Sequence, residues 1–198
     1  ITKAEMTNNT LIALSDELLN VSRIERGSLE FYFEETDMQE LITKVIDQLQ
    51  PLVTLKHLEM NFVPPAKPIP VIMADKQKLR QVVTNLIDNA IKYTSKGHIS
   101  VHLECDGEMI TVEVKDTGRG ISKEESKTIF QKFSQGKDLL TRATGLGVGL
   151  FLAKMIITQH HGKIWAESPG VNQGSVFAFS IPMHSEASNT AVLDFNKS

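Results

Sequence analysis

The run from Leu79 to Thr94, LRQVVTNLIDNAIKYT, constrains the fold more than any other part of the sequence. Its apolar residues recur at the three-four spacing of a helix that packs one face on a core. They are Leu79, Val82, Val83, Leu86 and Ala90. A second stripe beside them is polar and carries Asn85, Asn89, Lys92 and Tyr93. The run therefore predicts an amphipathic helix with its apolar face in the core.

The polar stripe has two explanations. Asparagine is a mediocre helix former, because its side chain competes for backbone hydrogen bonds, so Asn85 and Asn89 one turn apart require a reason. Carboxamide oxygens can bind a hard cation, a lysine can bind phosphate, and a tyrosine ring can stack on a base. These properties suit a ligand site, and a solvated helix flank explains the stripe equally well. The rest of the sequence has to decide between them.

Composition excludes several other classes of function. The chain has 198 residues, 41% of them hydrophobic, which is enough for a substantial core. Its 21 basic and 24 acidic residues are interspersed, so no basic patch predicts nucleic-acid binding. The single cysteine, Cys105, excludes an internal disulfide and a cysteine-ligated zinc site. No apolar run reaches the length of a membrane span, so we expect these residues to lie outside the bilayer.

Three segments are predicted. Residues 1–27 show a seven-residue apolar repeat, which indicates a helix of a coiled coil or helical bundle. Gly27 and Ser28 end that pattern and mark a domain boundary. Residues 28–183 then form a second domain, and residues 184–198 form a polar tail.

Strands and helices alternate in the first half of the second domain. A strand is predicted over residues 29–33, followed by a helix that Asp37 and Glu40 begin as a capping box. Another strand starts at Leu58, and Asp75 is the predicted N-cap of the helix that contains the two asparagines.

The second half is mostly strands. Alternating apolar residues predict a hairpin over residues 99–114 with a two-residue turn at Asp106-Gly107. Ser122 and Glu125 predict a short helix that ends near residues 129–130. A further helix is predicted over residues 151–160, and two final strands, KIWAES and SVFAFSIP, are predicted to pair as a hairpin.

Two glycine runs could bind a nucleotide. In DTGRGI, Asp116 follows a strand and can accept a hydrogen bond from an exocyclic amine, while Gly118 and Gly120 leave room beside the backbone. In GLGVGL, three alternate glycines directly before a helix let backbone N–H groups face a phosphate. Each motif alone is weak, and the second one is not the dinucleotide-binding fingerprint.

The order of the motifs resembles the catalytic, ATP-binding domain of sensor histidine kinases. TNLIDNAIKYT resembles the N box of that family, DTGRGI and GLGVGL its two glycine boxes, and IFQKF its F box. The opening helix resembles the second helix of the dimerisation and phosphotransfer bundle. This resemblance implies an α/β (α+β) two-layer sandwich, in which helices cover one face of a mixed, largely antiparallel sheet.

The resemblance also implies roles for individual residues. Asn89 would bind Mg²⁺ with Asn85 beside it, Lys92 the phosphates, Tyr93 the base or ribose, and Asp116 the adenine amino group. The other residues implied in ATP binding are Gly118, Gly120, Ile121, Gly145, Leu146, Gly147, Val148, Gly149 and Leu150. Leu146 and Gln135 replace a hydroxyl residue and an arginine that are frequent in the family. Lys137 and Arg142 are therefore the predicted cationic groups of the nucleotide lid.

Asn85 favours phosphoryl transfer over hydrolysis. ATPases with the same fold are expected to carry a glutamate at this position as general base, and a carboxamide cannot accept a proton from water. A kinase also needs an acceptor histidine, but none of the six histidines has the sequence context that the family uses. We therefore expect an acceptor helix outside this chain, so that the fragment binds Mg–ATP without phosphorylating itself.

Further expectations follow from the resemblance. Partners would be a bundle helix of the same or a partner subunit, a response-regulator receiver domain, and a second copy in a homodimer. The location would be cytoplasmic, as a separate protein or as part of a membrane-bound sensor. Two alternatives remain: a degenerate nucleotide-binding or scaffold module, and an ATPase of the same superfamily.

Overall fold

The computed structural model describes residues 26, 29–134 and 147–183. The predicted bundle helix, apart from Arg26, and the polar tail lie outside these residues. The helices are α1 (Met38–Leu55), α2 (Lys76–Tyr93), α3 (Lys123–Ser126) and α4 (Gly149–Gln159). The strands are β1 (Glu34–Thr36), β2 (Glu59–Val63), β3 (Ile72–Ala74), β4 (His98–Cys105), β5 (Met109–Asp116), β6 (Lys163–Glu167) and β7 (Ser175–Pro182).

A mixed five-stranded sheet forms one layer of the domain, in the order β2-β4-β5-β7-β6. β2 runs parallel to β4, and the remaining neighbours are antiparallel, including the hairpins β4–β5 and β6–β7. β1 and β3 make a separate antiparallel pair. The predicted sheet, mixed and largely antiparallel, is confirmed.

Helices α1, α2 and α4 form the second layer on one face of the sheet. Alternate residues of the central strands are buried there, and cross-strand pairs such as Val112–Phe179 and Val114–Phe177 continue the core from strand to strand. The residues that alternate with the buried ones on β5, such as Lys115, stay accessible. Because side chains alternate between the faces, Asp116 lies at the end of the core-facing row.

Of the predicted helix starts, those at Asp37 and Asp75 are confirmed as N-caps, but the Glu40 side chain pairs with Lys44 and does not complete a capping box with Asp37. The Asp37 carboxylate accepts from the Glu40 backbone N–H at 2.9 Å, and the Asp75 carboxylate accepts from the Lys78 N–H at 2.9 Å. At the other end of α2, the ammonium of Lys56 donates to the Ile91 carbonyl oxygen at 2.7 Å. A cation is favourable there because the helix dipole places partial negative charge at that end.

The strand predicted over residues 29–33 is wrong, since the strand begins only at Glu34. The backbone N–H of Tyr32 donates to the Asp75 carboxylate at 3.0 Å instead of to a neighbouring strand. Phe31 and Phe33 instead pack on His160 at the end of α4. Alternate residues of an extended segment point to the same side, so this packing gives the same sequence pattern as a strand.

Two predicted boundaries also need correction. The β4–β5 connection spans three residues rather than two, because β4 ends at Cys105 and β5 begins at Met109. The Asp106 carboxylate accepts from the N–H groups of residues 108 and 109. Helix α3 ends at Ser126, and the chain continues through turns closed by hydrogen bonds three residues apart. Among the residues described, no helix is both long and apolar enough to cross a membrane.

Candidate functional site

Helix α2 separates its two stripes as predicted. All five residues of the apolar stripe are buried, together with Ile87 and Ile91. Asn85 and Asn89 are half-buried beside them, and the Asn89 amide donates to Asn85 Oδ1 at 3.4 Å. The two carboxamides are therefore neighbours on one face of the helix.

Asn85 lies against the start of helix α4. A Cβ atom on Gly149 would lie 2.5 Å from Asn85 Oδ1 and 3.2 Å from its Nδ2, so a larger residue there would displace the carboxamide. Val148 is buried directly before this helix, while Gly147 and Leu150 are partly exposed. The structure thus brings the second glycine run next to the first asparagine.

Asp116 is the buried acid of the first glycine run, with 4% of its surface exposed. Its Oδ1 accepts from the Gly118 N–H at 2.7 Å, and its Oδ2 accepts from the hydroxyl of Ser175. Ser175 is its cross-strand partner in the β5–β7 register. This role of Ser175 is not predictable from the sequence, because the local pattern does not show which distant strands pair.

Tyr93 is the last residue of α2. The Arg119 guanidinium lies 4.7 Å and the Lys92 ammonium 5.0 Å from the centre of its ring, at distances typical of cation–π contacts. Arg119 also pairs with Glu125 at 3.0 Å and donates its backbone N–H to the Tyr93 carbonyl oxygen at 3.1 Å. Sequence analysis assigned no role to Arg119, whose position inside a glycine turn gives no periodic signal.

Packing within the chain accounts for two glycines of DTGRGI. A Cβ on Gly118 would lie 2.4 Å from the Tyr93 carbonyl oxygen, and Gly120 has a φ of +66° with the Gly170 carbonyl oxygen 2.0 Å from its ideal Cβ. The next residue, Ile121, is buried and donates its N–H to the Ser168 hydroxyl at 3.0 Å. These contacts hold one end of the turn against the end of α2 and the other against residues 168–170.

Two buried polar atoms of the described residues have no hydrogen-bond partner, Asn85 Nδ2 and Thr94 Oγ1. Thr94 Oγ1 would lie 2.9 Å from a Cβ on Gly118, beside Asp116, whereas Asn85 lies at the start of α4. One such atom therefore occurs near each glycine run. An unpaired buried polar group costs about 1–3 kcal/mol, so both ends of the site suit a ligand that supplies the missing hydrogen bonds.

A cleft of about 340 Å³ adjoins the Asn85 end of the site. Helices α1, α2 and α4 line it with Gln48, Gln77, Arg80, Gln81, Val82, Thr84, Asn85, Asp88, Gly149, Leu152, Ala153 and Ile156. Its floor is apolar and its rim mostly polar. Asn85 and Gly149 thus belong both to the cleft and to the contact between α2 and α4.

Some predicted site residues cannot be placed. Lys137, Arg142, Gly145 and Leu146 lie outside the described residues. Within the described ranges, no group of three or more histidine, cysteine or acidic side chains could hold a metal. The neighbouring carboxamides of Asn85 and Asn89 still carry oxygens of the type that a hard cation binds.

The comparisons with known proteins agree on one family. The histidine kinase-, DNA gyrase B- and HSP90-like ATPase family matches residues 74–185. The adaptive-response sensory kinase SasA of Crocosphaera subtropica is 36% identical over 180 residues, which is 86% of this chain and 44% of SasA. The sensor histidine kinase RcsC of Salmonella typhimurium is 32% identical over 187 residues, which is 93% of this chain and 19% of RcsC. The chain therefore spans less than half the length of these relatives.

Solved structures show the same similarity. Full-length ShkA in complex with AMPPNP has a TM-score of 0.80 at 25% identity, over 93% of this chain and 38% of ShkA. The catalytic domain of histidine kinase ThkA has a TM-score of 0.67 at 30% identity, over 77% of this chain and 99% of that domain. ThkA in complex with the response regulator TrrA has a TM-score of 0.66 at 28% identity, over 88% and 49% of the two chains.

Removal of the Ser175 hydroxyl tests the buried pair at Asp116. We expect Ser175→Ala to lower the free energy of unfolding by about 1–3 kcal/mol, because Asp116 Oδ2 loses a buried donor. Ser175→Thr keeps the hydroxyl and should cost less. Ser180→Ala, at a partly exposed position of the same strand, is the control and should stay within about 0.5 kcal/mol of the unmodified protein. Equal urea midpoints for the two alanine variants would contradict the assignment.

Proposed function

Because the chain belongs to the histidine kinase-, DNA gyrase B- and HSP90-like ATPase family, we propose that it contains the ATP-binding catalytic domain of a sensor histidine kinase. Residues 28–183 would bind Mg–ATP and present its γ-phosphate to a histidine on a bundle helix outside these 198 residues. The phosphoryl group would later pass to an aspartate of a response-regulator receiver domain. The observation that carries this proposal is the contact of the Asn85 carboxamide with Gly149 at the start of α4.

The adenine end of the proposed site is formed by Asp116 and the end of α2. The Asp116 carboxylate is already held by Gly118 and Ser175, so its orientation is fixed before a ligand binds. Each carboxylate oxygen can accept a further hydrogen bond, such as one from the adenine amino group. The Tyr93 ring, beside Arg119, offers an aromatic surface to the base or ribose.

The phosphate end is formed by Asn85, Asn89 and Lys92 together with the start of α4. The two carboxamide oxygens would complete the coordination of Mg²⁺, and Lys92 would contribute positive charge to the phosphates. The backbone N–H groups at the start of α4, at Gly149 and Leu150, have no partner within their own helix and suit an anion. Lys137, Arg142, Gly145 and Leu146 remain predicted contributors.

The side chain at position 85 supports transfer rather than hydrolysis. A general base typically contributes about 10²–10⁴ to the rate of such a reaction, and a carboxamide cannot act as one at neutral pH. Phosphoryl transfer instead depends on positioning an incoming nucleophile in line with the γ-phosphate. Asn85 and Gly149 line the cleft between α1, α2 and α4, and we propose that such a nucleophile approaches the γ-phosphate from this side.

The named relatives support the partners proposed here. The structures of ShkA with AMPPNP and of ThkA with TrrA are complexes with a nucleotide analogue and with a response regulator. By analogy we propose ATP, Mg²⁺, a histidine-bearing bundle helix and a receiver domain as the partners of this chain, with a homodimer and a cytoplasmic location for the full-length protein. A scaffold that binds no nucleotide, or an ATPase, would replace this proposal if the experiments below fail.

Nucleotide binding should depend on Mg²⁺ and on Asn89. We expect Asn89→Ala to weaken the affinity for a non-hydrolysable ATP analogue in Mg²⁺ by about tenfold or more, because an oxygen ligand of the metal is lost. Asn61→Ala, at an exposed position of β2, is the matched control. Calorimetric titrations with Mg²⁺ and with EDTA would measure both variants. Affinity that neither EDTA nor Asn89→Ala changes would favour the scaffold.

Adenine selectivity should depend on Asp116. Adenine carries an amino group where guanine carries a carbonyl oxygen, which a carboxylate repels. We expect the unmodified chain to prefer ATP over GTP by at least about 100-fold and Asp116→Asn to reduce that preference to about tenfold or less. The Asn oxygen can still accept from Gly118, so the turn should persist. Equal affinities of the unmodified chain for ATP and GTP would be inconsistent with this role.

Phosphate release distinguishes a kinase from an ATPase. Without a general base at position 85, the 198-residue chain should release phosphate from Mg–ATP at less than about 0.01 per second, about 100-fold below the slow end of typical enzyme turnover. No acid-labile label should appear on the chain after incubation with γ-labelled ATP. Turnover near one per second would support an ATPase, and labelled histidine would refute the proposal that the acceptor lies elsewhere.

A further inference from the structure

His160 is a buried histidine at the C-terminal end of α4, with 2% of its surface exposed. One ring nitrogen, Nδ1, lies 2.8 Å from the Ile156 carbonyl oxygen and donates to it. The other, Nε2, accepts from the Asp75 backbone N–H at 3.0 Å. These two bonds require the neutral ring with its proton on Nδ1.

Asp75 connects this histidine to two other parts of the fold. Its carboxylate caps α2 through the Lys78 N–H and also accepts from the Tyr32 N–H at 3.0 Å. Tyr32 belongs to the linker segment, which we define as residues 29–33, between the predicted bundle helix and β1. The linker segment, the start of α2 and the end of α4 therefore meet at Asp75 and His160.

Two aromatic rings of the linker segment pack on the same imidazole. The centre of the Phe31 ring lies 6.0 Å from that of His160 in an edge-on arrangement, and the Phe33 ring lies at 5.2 Å. Both distances are within the range of favourable aromatic pairs. The linker segment thus contacts His160 through its side chains and Asp75 through its backbone.

Both helices that meet here lead to the proposed nucleotide site. At a rise of 1.5 Å per residue, Asn85 lies about 15 Å along α2 from Asp75, and Gly149 lies about 16 Å along α4 from His160. A shift of one helix relative to the other at this end changes the contact between Asn85 and Gly149, because helices move as rigid units.

We propose that His160 is a positioning residue that fixes the linker segment to α2 and α4 and so couples the position of that segment to nucleotide affinity. The proposed coupling rests on the proposed function, because it assumes that the chain binds a nucleotide. The junction of the linker segment, α2 and α4 at His160 does not depend on that function. Displacement of the linker segment, or protonation of His160, would loosen the nucleotide site.

Protonation would break the junction because it turns Nε2 into a donor that faces the N–H of Asp75. Burial lowers the pKa of His160, and the nearby His161 lowers it further, while the Ile156 carbonyl and the Asp75 carboxylate oppose that shift. Since the folded protein binds this proton less readily than the unfolded chain, the stabilisation is complete above the unfolded pKa of about 6.5. It is lost as the pH falls from that value through the lower pKa of the folded protein.

The test compares His160→Phe, which keeps a ring between Phe31 and Phe33 but removes both hydrogen bonds, with His161→Asn. His161 is exposed and has a φ of 57°, which asparagine tolerates, so His161→Asn is the matched control. Affinity for a non-hydrolysable ATP analogue would be measured at about pH 8 and at a lower pH at which an NMR titration shows His160 of the folded protein to be protonated. Urea unfolding would be measured at both values.

The unmodified chain and His161→Asn should bind the ATP analogue about fivefold or more weakly at the lower pH than at the higher one. The His160→Phe variant should bind it weakly at both pH values. A His160→Phe chain that is less stable but binds with the affinity and pH profile of the unmodified chain would overturn the proposal.

A second variant keeps the test decisive if His160→Phe does not fold. Phe31→Ala/Phe33→Ala loosens the linker segment and leaves the hydrogen bonds of His160 in place. It should weaken nucleotide affinity and raise the pKa of His160 in an NMR titration, because the ring becomes accessible. Unchanged values of both would overturn the proposal. If the unmodified chain binds no nucleotide, the proposed function fails, while the pH dependence of unfolding and the NMR titration still report on the junction.

Discussion

The packing of helix α2 on the sheet determines the rest of the structure. Its buried stripe lies against the core-facing row of β5, and that packing sets the rotation of the helix and hence the direction of its polar face. Full burial of each aliphatic side chain stabilises the fold by about 1.5–3 kcal/mol, which outweighs the poor helix propensity of Asn85 and Asn89. The unpaired polar atoms of Asn85 and Thr94 are tolerated for the same reason.

Local signals in the sequence predicted the parts of the fold that depend on neighbouring residues. Asp37 and Asp75 were identified as caps because a cap acts within four residues of itself. The β6–β7 hairpin and the apolar face of α2 followed from periodicity. The start of β1 was not predictable, because Phe31 and Phe33 alternate like a strand but pack on His160, which is distant in the sequence.

The positions of the candidate site residues were predictable from the sequence, but the residues that support them were not. Asn85, Asn89, Tyr93 and Asp116 lie where the motifs indicated, since each motif occupies one helix or one turn. The role of Ser175 was not predictable because its contact with Asp116 depends on the register of two strands. The role of Arg119 was not predictable because its contact with Tyr93 depends on a turn that packs on α2. Gly118 was predicted to leave room for a ligand, and the structure shows that the Tyr93 carbonyl oxygen also excludes a side chain at this position.

The carboxamide at position 85 suits both the packing of α2 on α4 and the proposed binding of phosphate. A glutamate there would bring a longer, charged side chain against the start of α4, where Gly149 already leaves only enough room for Asn85. A negative charge beside bound phosphates would also repel them, whereas a neutral carboxamide can share a cation with them. Because the same carboxamide cannot take a proton from water, the proposed function would draw both nucleotide binding and slow hydrolysis from this one side chain. In the proposed reaction, the γ-phosphate would then be retained until a nucleophile from another helix reached it.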